Sequence, residues 1–487
     1  MRRQNPDKVA SVLVWTVLVI AILSLIAVET LRLVTAKYQN ALQTSTWQEA
    51  LLAAESGIDL AIVELRKSLY PQPNSAWNGW NNPPGDGVTG YELTTIPNAG
   101  LDGTPMTIEA NVDAPAQLID PTNSWQYYRI RTTGTIPITG PARASDNPQD
   151  TKLRRLSLRW ERFANGLLMT HPLPTDSNGN PIPQVSRRIE AIVRPVSAFD
   201  QAIMSVGVVD LTNQNIVVDS YDSSDPTKST NGLYDVAKRQ ENGDIATDGQ
   251  LIEAGNAQIY GDVATNAGTV SGVANITGVE RTDFYQEPIP VGAPSWSATN
   301  SSVTSVNGTT TITASSTQGS AASRYVLSGI SLSGNKTLTI AGNADGSQTY
   351  VEIYVTGDIS VSGTGQIVIQ PGVAATIYFA GNVDISGNGV LNSNNQPDDL
   401  LLYGIQPPTN TSEHVNIGGN SQITASVYAP GHDVTVNGAG TNGHVYGSIV
   451  GNTVTMTGVS NLHYDERLGS TGMINNYKIV SWFEDNR

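Results

Sequence analysis

The side chains able to do chemistry in this 487-residue chain form a narrow set. There is no cysteine, which removes thiolate nucleophiles, thiolate metal sites and a disulfide framework together. The carboxylates worth weighing are Asp398 beside Asp399, Asp384, and Asp465 beside Glu466. A glycosidase needs two carboxyls at a set distance across a cleft, and adjacency in sequence does not supply that. A polysaccharide lyase also wants a basic residue beside its acids, and none occurs from Thr337 to Glu466. His414, His432, His444 and His463 all fall late in the chain, without HExxH or a short ligand spacing. Corner or surface histidines are expected. The run from Asp219 to Pro226 offers oxygens to calcium but lacks the EF-hand pattern, so a solvated acidic turn is expected. No P-loop, GxSxG or dinucleotide fingerprint is present. Trp77, Trp80 and Trp296 sit in Pro- and Gly-rich loops, as buried anchors or as exposed contacts for sugar or protein. The expectation is therefore a non-enzyme, with no catalytic residues, cofactor or metal.

The elements that would position these groups begin with Val9 to Val28, an uncharged and mostly apolar run. A helix of about 20 residues crosses the hydrocarbon core of a bilayer. Arg2, Arg3 and Lys8 precede it and favour a cytoplasmic N-terminus. A cleaved secretory signal is the alternative, but its apolar region is shorter and ends at a small-residue site, which Val28-Glu29-Thr30-Leu31 does not offer. The expected location is single-pass in a bacterial inner membrane, with the bulk of the chain periplasmic or on the cell surface.

No Gly or Pro interrupts the chain from Val9 until Gly57, so the helix continues. Beyond the lipid run Trp47, Leu51, Ala54, Ile58, Ala61, Ile62, Leu65 and Leu69 recur at spacings of three and four, an apolar stripe predicted to pack on a soluble domain. Tyr70-Pro71-Gln72-Pro73 ends it. Alternating segments at Met106 to Val112, Tyr127 to Thr133, Leu153 to Trp160 and Arg188 to Val193 predict antiparallel strands laid on that stripe. Turn signals at Trp77-Asn78-Gly79-Trp80 and Pro83-Pro84-Gly85 precede them.

From about Val206 short apolar runs alternate with Gly and Asn, and the chain becomes self-similar. Gly357-Asp358-Ile359-Ser360-Val361 matches Gly381-Asn382-Val383-Asp384-Ile385, and Gly431-His432-Asp433-Val434-Thr435 matches Gly451-Asn452-Thr453-Val454-Thr455. The intervals suit solenoid coils, with inward Val, Ile or Leu and Gly or Asn at the corners. A parallel β-helix is predicted; a sandwich would not call for the repeated Gly-Asn/Asp starts.

The expected fold is mainly β with one long N-terminal transmembrane and amphipathic helix, an antiparallel region packed on it, and a parallel β-helix after that. The units are an anchor and helix at 1–70, a β-rich region at 71–202 and a first solenoid segment at 203–286. A Ser/Thr/Pro-rich linker at 287–324, the main solenoid at 325–468 and a closing strand at 469–487 complete them. With 43 acidic against 27 basic residues, a net charge of −16 argues against nucleic acid as a partner.

Two stretches carry a resemblance. The element from Glu49 to Ala61, with Ala53-Ala54-Glu55-Ser56-Gly57 after the apolar run, resembles the PilX-type N-terminus of type IV pilus assembly proteins. Ser426-Val427-Tyr428-Ala429-Pro430, the run Gly443 to Gly451, and His463-Tyr464-Asp465-Glu466-Arg467-Leu468 look like the β-helical domain of no assigned activity that accompanies such N-termini in bacterial surface proteins. With Ser481-Trp482-Phe483-Glu484, that second likeness spans Ile203 to the end. The chain lacks the Gly before the run and the Glu five residues into it that processed prepilins share: Ala10 precedes Ser11, Trp15 stands fifth, and the first acid after the run is Glu29. The resemblance implies partnership with the membrane through Val9 to Val28 and with other pilin-like or pilus assembly proteins, with a surface polysaccharide or protein as ligand. It implies a displayed, non-enzymatic β-helix; a cell-surface β-helix enzyme acting on polysaccharide is the alternative.

Overall fold

The computed structural model describes residues 6–71, 75–80, 89–115, 117–120, 125–137, 184–212, 216–272, 275–299, 303–318, 323–405, 413–419, 423–438, 443–458 and 460–485, except 97–105. Arg2, Arg3, the Pro83-Pro84-Gly85 turn and the strand expected from Leu153 to Trp160 lie outside the described residues. What is described is mainly β, with one long apolar helix at the N-terminus.

Helix α1 is Pro6–Lys67, 62 residues, or roughly 90 Å at 1.5 Å per residue. Arg66 and Lys67 occupy its last turn, where cations complement the helix dipole. The end tightens before Pro71: Leu69 N–H donates to the Arg66 carbonyl at 3.0 Å and Tyr70 N–H to that of Lys67 at 3.1 Å.

A 5-stranded antiparallel sheet follows, of β1 (Thr89–Ile96), β2 (Met106–Asp113), β3 (Tyr128–Pro137), β4 (Gln184–Ser197) and the C-terminal strand Ile474–Asp485. Alternation turns Ile108, Ala110, Val112, Ile130, Thr132, Ile189, Ala191 and Val193 inward beneath α1. Arg129 and Arg131 point to the other face, paired with Asp113. The C-terminal segment, expected as a closing strand, is an edge strand of this sheet. It pairs antiparallel with β4, Ile474 opposite Ser197 and Tyr477 opposite Pro195, and Tyr477 meets Tyr128 edge to face at 5.6 Å between ring centroids.

Between β4 and that last strand the chain builds a stack of parallel coils, carried by 19-, 6- and 4-stranded parallel sheets. Such large parallel sheets fit a β-helix or solenoid. Inward residues form columns: Ile353, Ile377, Leu402, Val427, Ile449, Ile203, Ile245 and Val263 pair in that order, all buried. A second column runs Ile330, Ile359, Val383, Val415, Val434, Val454, Val209 and Ile252. The repeated glycines have two causes. Gly387 takes φ +67° directly over Gly363 at φ +62°, so a Cβ there would lie 2.0 Å from the Gly363 carbonyl oxygen. Gly381 instead sits against its counterpart Gly357, and Asn382 N–H donates to Asp358 at 2.9 Å.

The columns show a stacking order different from chain order. The strand Ile203–Ser205 pairs with Ile449–Gly451, so the segment 203–286 stacks on the last coil rather than beneath the coil at 303. The chain enters the stack mid-length, winds to one end near Glu280, crosses back, and winds from Val303 to meet its own start. The stretch 287–324, expected as a linker, carries that crossing and two strands. Val303–Val306 and Thr310–Thr313 pair parallel with Ser323–Leu332 and Thr337–Ala341. Val306 and Ile312 are buried between Ser and Thr, residues whose composition had suggested a loose segment although Thr suits a pleated strand.

Candidate functional site

Helix α1 divides into three environments. Along the apolar run from Val14 to Val28 the large side chains are exposed in the isolated chain, and this helix is long and apolar enough to cross a membrane. From Thr46 to Leu65 one face is buried by the sheet. Between them, Glu29 to Ser45 spans about 25 Å, past the apolar run and before the face that the sheet buries. This stalk exposes Leu31, Leu33, Val34 and Tyr38.

Of the stripe read from the sequence, Ala54, Ile58, Ala61 and Leu65 are buried in the core against the sheet, and Leu51, Ile62 and Leu69 are partly buried beside it. Trp47 is 50% exposed at the stripe's edge, with the Arg187 guanidinium 4.1 Å from its ring. The stripe omitted Ala50, Ala53 and Gly57, small residues that set how closely the helix approaches. A Cβ on Gly134 of β3 would lie 2.1 Å from the Ala50 carbonyl oxygen and 2.5 Å from Ala54 N. A Cβ on Gly57 would meet Thr132 at 2.8 Å. At this distance Thr132 Oγ1 donates to the Ala54 carbonyl at 2.7 Å. Glu64 is buried and accepts from Trp77 N–H, which fixes the Trp77–Trp80 pair on the helix as buried anchors.

The second concentration of chemistry lies where the two half-stacks meet, on strands Asn461–Asp465, His444–Tyr446 and Val217–Tyr221. His463 Nδ1 contacts Asp219 Oδ1 at 2.5 Å, and its Nε2 contacts His444 Nδ1 at 2.9 Å. Tyr234, from the segment 222–244, donates to Asp219 Oδ2 at 2.7 Å and stacks on the His463 ring at 3.8 Å. Nearby, Asp465 accepts from Ser223 N–H at 3.0 Å and Arg467 N–H at 3.2 Å. Glu466 pairs with Lys228 at 2.7 Å, and Arg467 with Asp398 at 2.9 Å. Burial pushes the Asp465 carboxyl up to about 6. Burial, then the neighbouring Asp398 charge, does the same for Asp399, also to about 6.

The acids flagged in the sequence are thus partly brought together. Asp398, Asp465 and Glu466 share the joint, and their basic partners are Arg467, just past the cation-free stretch, and Lys228, far away in sequence. Asp384 lies elsewhere, facing His414 at 3.2 Å. The histidines are not all at corners or on the surface: His432 and His463 are buried. Burial holds the His432 imidazole below its ordinary range. Asp219 is buried, whereas Asp222 and Asp225 are partly exposed and accept from Ser224 and Thr227 N–H in Asx turns. Trp296 lies under the Arg324 guanidinium at 5.4 Å. Local spacing gave no signal for the Asp219–His463 contact, because the coils that carry it are joined only by the stacking order.

Residues 297–471 match a family described as a domain of unknown function, DUF7305. That match covers the half-stack that starts after the crossing and ends at the joint. No curated protein matches. Among solved structures the chain aligns with the crystal structure of the competence-associated pilin ComZ from Thermus thermophilus, at 11% identity, over 91% of this chain and 98% of that one, with a TM-score of 0.18. At that TM-score the alignment carries no argument about fold or function.

Proposed function

We propose that this chain is a non-enzymatic, membrane-anchored component of a type IV pilus or pilus-like assembly, displaying a parallel β-helix for assembly or adhesion contacts. The observation that carries this is the stalk. A helical stretch from Glu29 to Ser45 would be marginal alone in water, and its exposed Leu31, Leu33, Val34 and Tyr38 follow the twenty-residue run that suffices to cross the hydrocarbon core. Apolar residues there call for protein neighbours running alongside, as in a bundle of pilin-like helices. Leu52, Leu60 and Val63 continue the exposed apolar surface on the side of α1 away from the sheet. The PilX-type resemblance of the N-terminus points the same way, with the N-terminus cytoplasmic and the stack outside. The non-enzymatic reading draws support from the joint, where Asp465 and Glu466 are engaged in structural hydrogen bonds between coils.

The test is photocrosslinking in cells from Leu33, Tyr38 and Leu60, with Ala54 as the buried control. Protein adducts with pilin-like partners are expected from the first three positions and none from Ala54. Adducts with lipid alone, or a full-length protein found soluble on fractionation, would sink the proposal.

A further inference from the structure

The segment 222–244 is a clasp over the joint between the half-stacks, and side chains rather than a strand ladder hold most of it down. Tyr234 bonds Asp219 and stacks on His463, Lys228 pairs with Glu466, and Ser223 N–H reaches Asp465. Its backbone attachments to the stack gather at its C-terminal end: the bridge between Ser220 and Gln240, Gly243 N–H to the Tyr260 carbonyl, and the Asp244 carbonyl accepting from Ala202 and Ile203 N–H, so the stretch 223–239 is held by side chains and by Ser223 N–H. His463 is sealed beneath this clasp, on a strand fixed by its ladders to His444–Tyr446 and Val217–Tyr221.

The proton arithmetic of this cluster is restrictive. With Asp219 accepting from His463 Nδ1–H, His463 Nε2 bears a lone pair and accepts from His444 Nδ1–H at 2.9 Å. One added proton is accommodated, because His463 can hold both of its protons against the Asp219 carboxylate while His444 moves its own to Nε2. A second is not. It sets two N–H donors and two positive charges face to face across the same contact, with one carboxylate to balance them. Tyr234 and Tyr446 flank the pair without charge, Arg239 near Tyr234 adds a positive field, and Asp465 lies two residues on. We infer that the His444–His463 pair is a proton-operated catch: the clasp stays shut while the pair holds at most one extra proton and is released when both imidazoles are charged. The ladders keep the two histidine strands in place, so the element free to yield is the clasp.

Two acids in the same joint work in the opposite direction. Asp465 and Asp398 are raised by burial, so protonating them removes a cost and tightens the joint as pH falls. This opposition makes the inference testable by hydrogen exchange on the full chain in detergent micelles, corrected for intrinsic rates. Measurements would be made near pH 7 and near pH 4.5, below the ordinary imidazole range. Peptides from 222–244 should lose protection by about tenfold or more at the lower pH, while those from the stack interior at 373–404 keep theirs. In His444→Asn, which can still hydrogen-bond His463 but cannot take a proton, the same peptides should hold or gain protection. Unchanged protection of the clasp in the native chain overturns the inference without recourse to any variant. An equal loss in both chains also overturns it, assigning the opening to groups other than this pair.

Discussion

At the scale of single residues, this protein is governed by two close approaches. Gly134 has no room for a methyl group because the α1 backbone at Ala50 and Ala54 occupies that space. Gly134→Ala should therefore lift the helix off β3, costing on the order of 3 kcal/mol as overpacking against backbone that cannot yield. A urea titration of the detergent-solubilised chain would register it; an unchanged midpoint would mean that the helix does not sit this close. Gly57 carries the same lesson. A helix-interior glycine costs roughly 1 kcal/mol relative to alanine, and here it is needed because Thr132 and Ile108 fill the space. Its place in the pilin-like sequence element was legible, but the reason was not, since Ala and Gly barely register in a pattern of large apolar residues. The second approach is electrostatic. Asp465, 1% exposed, is raised to about 6, so the stability it contributes is fully present below the ordinary carboxyl range and is lost as pH rises through 6. Asp465→Asn keeps the oxygen that accepts from Ser223 and Arg467. It should add about 3 kcal/mol at pH 7 and about half that at pH 5, read as the difference between urea midpoints at the two pH values. A gain of equal size at both would remove the electrostatic explanation.

At the scale of elements, each strand of the stack is too short to stand alone, and the columns of inward residues supply what it lacks. Stability in such an array is close to a sum of neighbour contacts, so position along the axis matters more than side-chain identity. Ile203 sits between Ile449 and Ile245, at the junction of the halves, whereas Ile312 lies on the terminal coil and pairs with Ile340 on one side. Both are buried, and truncation to alanine of either removes similar apolar volume, for about 2–5 kcal/mol. The consequences should differ: Ile203→Ala lowers hydrogen-exchange protection in coils on both sides, while Ile312→Ala frays one end. If both lowered protection everywhere, the array would be behaving as one cooperative block. The repeated Gly-Asp and Gly-Asn corners and the alternating Val and Ile made the coils visible in the sequence. The strands at Val303 and Thr310 were hidden because Ser and Thr at their outward positions mimic a linker's composition.

At the scale of the whole molecule, the stack is an insertion between two neighbouring strands of the antiparallel sheet. Ser197 ends β4 and pairs with Ile474 at the start of the last strand, Ala198 N–H donates to the Met473 carbonyl at 2.7 Å, and Ser197 Oγ to that of Thr471 at 2.6 Å. Nothing local in the sequence announces this, since Ile203 meets Ile449 and β4 meets the last strand only after the intervening coils have folded. Residues 198–473 should accordingly be removable, with a short Gly-containing turn of about 2–4 residues joining Ser197 to Ile474 as in a β-hairpin. The remaining helix and sheet keep the contacts of Ala54, Ile58, Leu65, Ile130 and Ile189, so the product should still insert in the membrane and melt cooperatively in detergent. It would lose the contacts between units, among them the one from Arg66 to the Glu287 carbonyl and the tether in which Asn475 accepts from Ile289 N–H and the Tyr428 hydroxyl. A modest drop in melting temperature is the expected outcome, because those contacts are few beside the helix–sheet core. Complete unfolding of the excised protein would show instead that the stack is the scaffold on which the sheet forms. The hierarchy argued from the pairing of β4 with the last strand would then be reversed.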